Sequence, residues 1–197
     1  MIRQEDFAAL HLELSVKAKN GLDFIAAATL LWAGIAVVWA LPGSASQHSL
    51  YTFMASGLML PLARLLSGVF GTTWTLKHNP LQPLGLWLNF AQLFYFPFLV
   101  FVYLRNPEYF IMVYGIITGA HFFPYAWFYR TAAFAVAAGV IAGGCLALGL
   151  YLAPTQLYLI PAFISGSMVL LGAWLWADYR AKTRLAAAQP AAFAAVA

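Results

Sequence analysis

The chain has 197 residues, 63% of them hydrophobic and only 8% charged. A soluble domain carries about 25% charged residues, so the charges are too few to cover a water-soluble globule. The mean hydropathy of +0.81 likewise places the chain among integral membrane proteins. The net charge of +4 is no nucleic-acid signature, because the basic residues sit at the ends of apolar runs and form no stripe with interleaved stacking aromatics.

The elements follow in chain order. Residues 2–19 read as a short amphipathic helix, with Phe7, Leu10, Leu14 and Ala18 at helical spacing and charges between them. It is expected on the cytoplasmic membrane surface, with Asn20-Gly21 ending it, so that 1–21 forms a cytoplasmic segment. Six runs then meet the requirement of about 20 apolar residues per crossing. They cover roughly 22–41, 50–70, 84–104, 109–129, 131–152 and 157–177, with 178–197 as a cytoplasmic tail, loosely ordered after Arg184. The first run reads as a retained helix and not a signal peptide, since the region before it is long and carries Glu5, Asp6 and Glu13, with Asp23 at its start. The runs lack the polar–apolar alternation of barrel strands.

Charge sets the direction. Arg3, Lys17, Lys19, Lys77, Arg130, Arg180, Lys182 and Arg184 fall on one side of such a bundle, Arg105 alone on the other, and Arg64 inside a span. Basic residues concentrate in cytoplasmic loops. The expected fold is therefore an all-α membrane protein of six transmembrane helices with both termini cytoplasmic, N-in and C-in. The even-numbered spans add a repeat signal, "ASGLMLPLAR", "TGAHFFPYAW" and "SGSMVLLGAW", which suggests three parallel helical-hairpin pseudo-repeats. Trp39, Tyr103, Tyr109, Trp174 and Tyr179 fit interfacial aromatic belts.

Ionisable and amide side chains are costly in hydrocarbon and ask for a partner or a role. At 1.5 Å per residue, Arg64, Asn89 and His121 each lie roughly 9–14 Å from the cytoplasmic edge, with Gln92 slightly deeper and Asp23 shallower. Asn89 and Gln92 share a helix face, as do His121 and Tyr125. Pro61, Pro97 and Pro124 free backbone carbonyls close to this layer. Arg64, Asn89, Gln92, His121, Tyr125 and Asp23 are therefore the candidate ligand-binding residues. The alternative roles are Arg64 snorkelling to headgroups or pairing with Asp23, Asn89 and Gln92 acting as interhelical glue, and His121 sitting as a neutral core histidine. No metal site or cofactor is expected. His11, His48 and His78 lie in polar segments, no Cys or Glu stands near His121, and Cys145 is the single cysteine. CxxC, HExxH, GxSxG and P-loop patterns do not occur.

"KNGLDF" at 19–24, "LPLA" at 60–63, "NPLQPLG" at 79–85 and above all "MVYGIITGAHFFPYAWFY" at 112–129 resemble a family of small bacterial integral membrane proteins grouped as a domain of unknown function. The resemblance covers about residues 15–180. It implies a bacterial six-helix protein of the inner membrane and no particular activity.

The expected function is the binding or transport of a small or lipid-like molecule through a polar pocket in the cytoplasmic half of the bundle. There Arg64 would hold an anionic group and His121, Asn89, Gln92 and Tyr125 would exchange hydrogen bonds. The alternative is an accessory subunit packed against another membrane protein or a second copy. An intramembrane enzyme using His121 as acid or base is the third reading, disfavoured because no carboxylate shares its depth. Membrane lipids are the expected surroundings, and no nucleic-acid partner is expected.

Overall fold

The computed structural model describes residues 4–188; Arg3 and the Ala-rich end of the tail, 189–197, lie outside the described residues. It contains α1 (Gln4–Lys17), α2 (Leu22–Ala40), α3 (Ala45–Ser56), α4 (Met59–Phe70), α5 (Gln82–Leu93), α6 (Phe96–Arg105), α7 (Phe110–Phe128), α8 (Ala132–Tyr151) and α9 (Leu159–Ala188). Short 3-10 turns occupy Lys19–Gly21, Pro107–Tyr109 and Pro154–Gln156. No strand occurs among the described residues. Five stretches are long and apolar enough to cross a membrane: Lys19–Ala40, Gln82–Arg105, Pro107–Phe128, Ala132–Tyr151 and Pro154–Ala188. A sixth arises if α3 and α4 are one span, bent by 46° between them.

Two expected straight spans are broken, and proline accounts for both. Pro61 stands in the first turn of α4, where its missing N–H costs nothing, but its ring clashes with the carbonyl of Gly57 one turn back. The helix stops at Ser56 and restarts at Met59. Pro97 likewise stands in the first turn of α6, and the chain steps from α5 to α6 through Phe94 and Tyr95. Pro124 lies inside α7 without interrupting it. α3 also begins earlier than hydropathy suggests. The Ser44 side chain accepts from the Gln47 N–H while the Gln47 side chain accepts from the Ser44 N–H, a capping box that starts a helix in a polar segment.

The core lies where α2, α7, α8 and α9 meet, around Trp32, Ile35, Ile111, Ile141, Ile164 and Met168. α7 packs along α8, and α2 packs on both α9 and α4. Between helices in lipid there is little hydrophobic driving force, so close van der Waals fit decides association. Gly119 supplies that fit. A Cβ there would stand 2.7 Å from the backbone nitrogen of Ala142 in α8, and one at Gly115 would stand 2.6 Å from Cys145 Sγ. The three small-residue patches of the even spans take different places. Gly119 presses on α8, Gly57 sits at the α3–α4 break, and Gly166 has open space beside it.

The last helix runs on through Ala188, into the segment expected as a tail. Trp39, near the end of α2, is buried within the protein, its Nε1 donating to Thr52 Oγ1 at 2.9 Å.

Candidate functional site

The six side chains expected to form one polar layer fall into two groups. Asp23, at the start of α2, is buried. Its Oδ2 accepts from Thr72 Oγ1 at 2.6 Å and from Trp74 Nε1 at 2.7 Å, and its Oδ1 accepts from the Phe24 N–H at 3.0 Å. Arg64 is exposed on α4 and lies over the Trp74 ring, 5.7 Å from its centroid. Trp74 therefore stands between the carboxylate and the guanidinium, one edge bonded to the first and its face turned to the second. Among the described residues Asp23 and Arg64 form no direct ion pair.

Asn89, Gln92, His121 and Tyr125 form the second group. α5 packs against α7, and a Cβ at Gly85 would stand 3.0 Å from Phe128 Cζ. The two helices run in opposite directions. Stepping back from that contact at 1.5 Å per residue sets Gln92 level with His121 and Asn89 level with the Pro124–Tyr125 step. Asn89 Nδ2 donates within its own helix to the Gly85 carbonyl at 2.9 Å. The His121 and Tyr125 rings meet edge to face at 5.3 Å. Tyr125 also stacks on Tyr129 and packs against Phe134. Among the described residues its hydroxyl is buried without a hydrogen-bond partner, an unusual state for a buried polar atom.

The strongest polar construction lies at the basic end of the bundle, in segments whose sequence reads as solvated. Four segments meet there: α1 with the turn 19–21 that follows it, the loop 71–81, the turn 129–131 and the extension of α9. Glu13 is fully buried, with Oε1 2.6 Å from His78 Nε2 and Oε2 accepting from Asn79 Nδ2 at 2.8 Å. Asn20 is equally buried. Its amide donates to Asp178 Oδ2 at 2.8 Å and to the Leu175 carbonyl at 3.2 Å, and its oxygen accepts from Lys182 Nζ. Lys182 pairs with Asp178 at 2.6 Å and also donates to the Tyr129 carbonyl, which accepts from Ser15 Oγ as well.

These bonds satisfy charges that burial would otherwise make costly. They also bury the polar face of α1 against the bundle, where an interfacial helix would have turned it to water. His11 shows how tightly. It meets the Phe128 carbonyl at 2.9 Å through Nδ1. A carbonyl only accepts, so the proton is on Nδ1 and Nε2 is bare. Among the described residues Nε2 is buried without a partner, with the Phe7 and Trp127 rings packed edge-on to the imidazole. Burial, the larger cause, holds the His11 pKa below its ordinary value, and Arg130 and Lys182 add to the effect against the bond to Phe128.

Glu13, Asn20, Asn79 and Lys182 were not among the expected site residues. A signal for two of them was present. "KNGLDF" holds Asn20 next to Asp23, and "NPLQPLG" opens on Asn79.

Beside this network runs an apolar groove of about 430 Å³ between α2, α4 and α9, lined by Leu22, Ile25, Leu66, Phe70, Met168 and Trp176 among others. Among the described residues no group of three or more His, Cys, Asp or Glu side chains is placed to hold a metal ion.

No curated protein and no solved structure matches the chain. A model of a family of unknown function (DUF7010) matches residues 7–178, from α1 through the apolar length of α9. The match takes in every polar contact made by the loop 71–81 and both broken spans, and on it the chain belongs to that family of unknown function, DUF7010.

Proposed function

We propose that the protein is a six-crossing protein of a bacterial inner membrane, with both termini and the basic end of the bundle in the cytoplasm, and that it binds or carries a small or lipid-like molecule at the α5/α7 seam. The observation that carries this reading is the Tyr125 hydroxyl, buried without a partner. Leaving such a group unpaired costs about 1–3 kcal/mol, which a ligand oxygen or nitrogen would recover. Three further polar side chains stand near it in height. His121 shares its helix face, and Gln92 and Asn89 lie level with them on α5. Arg64 stands apart from this seam, over the Trp74 ring, and makes no side-chain hydrogen bond among the described residues. Asp23 holds Trp74 in position beside it.

The test compares the lipids and small molecules that copurify with the wild-type protein and with Tyr125→Phe and His121→Ala, by mass spectrometry. Loss of one buried hydrogen bond corresponds to about a tenfold loss of affinity, so a species retained by the wild type is expected to fall by about that factor in Tyr125→Phe. An unchanged profile in both variants contradicts the reading.

One observation favours a second reading, an accessory subunit. The α5–α6 span is the least covered. Only Leu99 and Val102 of it are buried, and Trp87 and Phe94 are 69% and 84% exposed. A photo-crosslinker at Phe94 captures a protein partner or a second copy under that reading, and lipid alone under the first.

A further inference from the structure

The groove between α2, α4 and α9 is a separate site with its own chemistry. Along α2 it extends from Leu22 to Leu30, eight residues and so about 12 Å. One leaflet of hydrocarbon is about 15 Å thick, half of the roughly 30 Å core. The groove is thus as deep as the leaflet on the basic side, and its volume of about 430 Å³ falls within the range of about 300–1,000 Å³ usual for ligand sites. Its walls are apolar apart from Thr29. The Thr29 hydroxyl already donates to the Ile25 carbonyl at 2.7 Å, so its one proton is taken. What fits such a surface is a hydrocarbon chain.

The mouth is not apolar. Lys19 lies one turn before Leu22, and the chain reaches it through three successive positive φ angles, 47° at Lys19, 54° at Asn20 and 75° at Gly21. Two of these residues carry a Cβ, for which this conformation is unfavourable. A strained turn persists where the surrounding structure holds it in place. Here the turn sends the Lys19 ammonium to the carbonyl of Phe70, a wall residue, and over the ring of Tyr179, 5.5 Å from its centroid. Tyr179 in turn packs on Trp176 at the same rim, rings 5.6 Å apart. An ammonium has three donors, and this one meets a single carbonyl and an aromatic face. Among the described residues it has no carboxylate partner. The nearby acids are engaged elsewhere, Asp178 by Lys182 and Asn20 and Asp23 by Thr72 and Trp74.

An uncompensated cation at the mouth of a leaflet-deep apolar groove is complementary to one class of molecule. We infer that the groove seats one acyl chain of an anionic phospholipid from the surrounding membrane, with the headgroup phosphate on Lys19. The site is distinct from the α5/α7 seam, so either can fail without the other.

The test uses the full-length protein in nanodiscs of equimolar phosphatidylglycerol and phosphatidylcholine, with the lipids retained on release counted by native mass spectrometry. Wild type is expected to keep phosphatidylglycerol in preference to phosphatidylcholine. Lys19→Gln is expected to lose that preference by about tenfold, the value of one charge-assisted hydrogen bond, and Lys19→Arg to keep it. Gly172→Leu fills the groove without a backbone clash, since a Cβ there meets only Ile25, at 3.8 Å; it is expected to lose the bound lipid. Size-exclusion profiles matching wild type confirm that the variants fold, and Gly172→Leu keeps the inference testable if Lys19→Gln does not. Equal retention of both lipids by wild type, an unchanged preference in Lys19→Gln, or an unchanged lipid count in Gly172→Leu overturns it. Tyr125→Phe, the variant of the other site, is expected to retain phosphatidylglycerol as wild type does.

Discussion

Asn79 donates its side-chain amide to Glu13 Oε2 at 2.8 Å across 66 residues of sequence, and the same nitrogen reaches the Leu10 carbonyl at 3.0 Å. The loop 71–81 is thereby fastened to α1. Asn79→Ala leaves a fully buried carboxylate with His78 as its remaining side-chain partner. Hydrogen bonds to charged groups contribute about 1.5–3 kcal/mol, so α1 docking is expected to weaken by about that amount. Faster hydrogen–deuterium exchange of the α1 amides would show it, and wild-type exchange would contradict it.

Asp23 predicts a second effect on the same end. Asp23→Ala removes the acceptor of two half-buried donors, Thr72 Oγ1 and Trp74 Nε1, of which Thr72 keeps Ser67 Oγ as an alternative, and is expected to cost about 1–3 kcal/mol. Asp23→Asn keeps one acceptor oxygen and is expected to cost less. Thermal unfolding in detergent ranks the pair, and Trp74 emission should move to the red in the alanine variant as its indole loosens. Equal stability of both variants with wild type would show that the carboxylate does not hold this corner.

His11 makes the clasp sensitive to acid. Its folded pKa is lowered, first by burial, so the unfolded or undocked chain binds the proton more readily. The contribution of the neutral, docked form is complete above the unfolded value of about 6.5. It is lost progressively as pH falls below that value toward the lowered folded pKa. The protection of α1 amides, after correction for the intrinsic pH dependence of exchange, is therefore expected to be lower at pH 5 than at pH 7.5. His11→Asn, which can still donate to the Phe128 carbonyl, is expected to show a smaller difference. An identical pH response in wild type and variant would place the acid sensitivity elsewhere.

Gly119 tests the packing of the bundle. Gly119→Leu drives a side chain into the α8 backbone at Ala142, an overpacking expected to cost about 1–3 kcal/mol or more. Gly166→Ala, with open space around it, is expected to be neutral or to stabilise by up to about 1 kcal/mol. Size-exclusion chromatography and thermal aggregation separate the two. Equal behaviour would mean that α7 and α8 do not meet at Gly119.

How much of this was legible in the sequence follows from what each feature depends on. The ends of α2, α7 and α8 fall within a residue or two of the hydropathy limits, because polar or helix-breaking residues stand there: Asn20-Gly21, Arg130, and Pro154 after the last turn. The breaks in the second and third spans leave mean hydropathy untouched, since Gly57, Pro61 and Pro97 interrupt runs that stay apolar throughout. The position of Pro61 and Pro97 was visible; the size of their effect depends on whether neighbouring helices hold the chain straight, as they do at Pro124. The polar network was hidden for a different reason. Glu13, Asn20, Asn79 and Lys182 are ordinary surface residue types in segments outside the apolar runs. Their burial follows only from four segments, far apart in the chain, meeting at one end. His121 and Tyr125 were visible because a polar group in an apolar run stands out, and the register of α5 on α7 now sets Gln92 and Asn89 beside them in height.

The orientation of the bundle underlies both proposed sites, because it fixes which leaflet the groove and the basic end face. Single cysteines at Lys77 and at Arg105, both exposed and at opposite ends of the bundle, test it in a Cys145→Ala background. With a membrane-impermeant maleimide applied to intact cells, Arg105→Cys is expected to label at once and Lys77→Cys only after permeabilisation. Labelling of Lys77→Cys in intact cells, with Arg105→Cys protected, would reverse the bundle and contradict the cytoplasmic placement of its basic end.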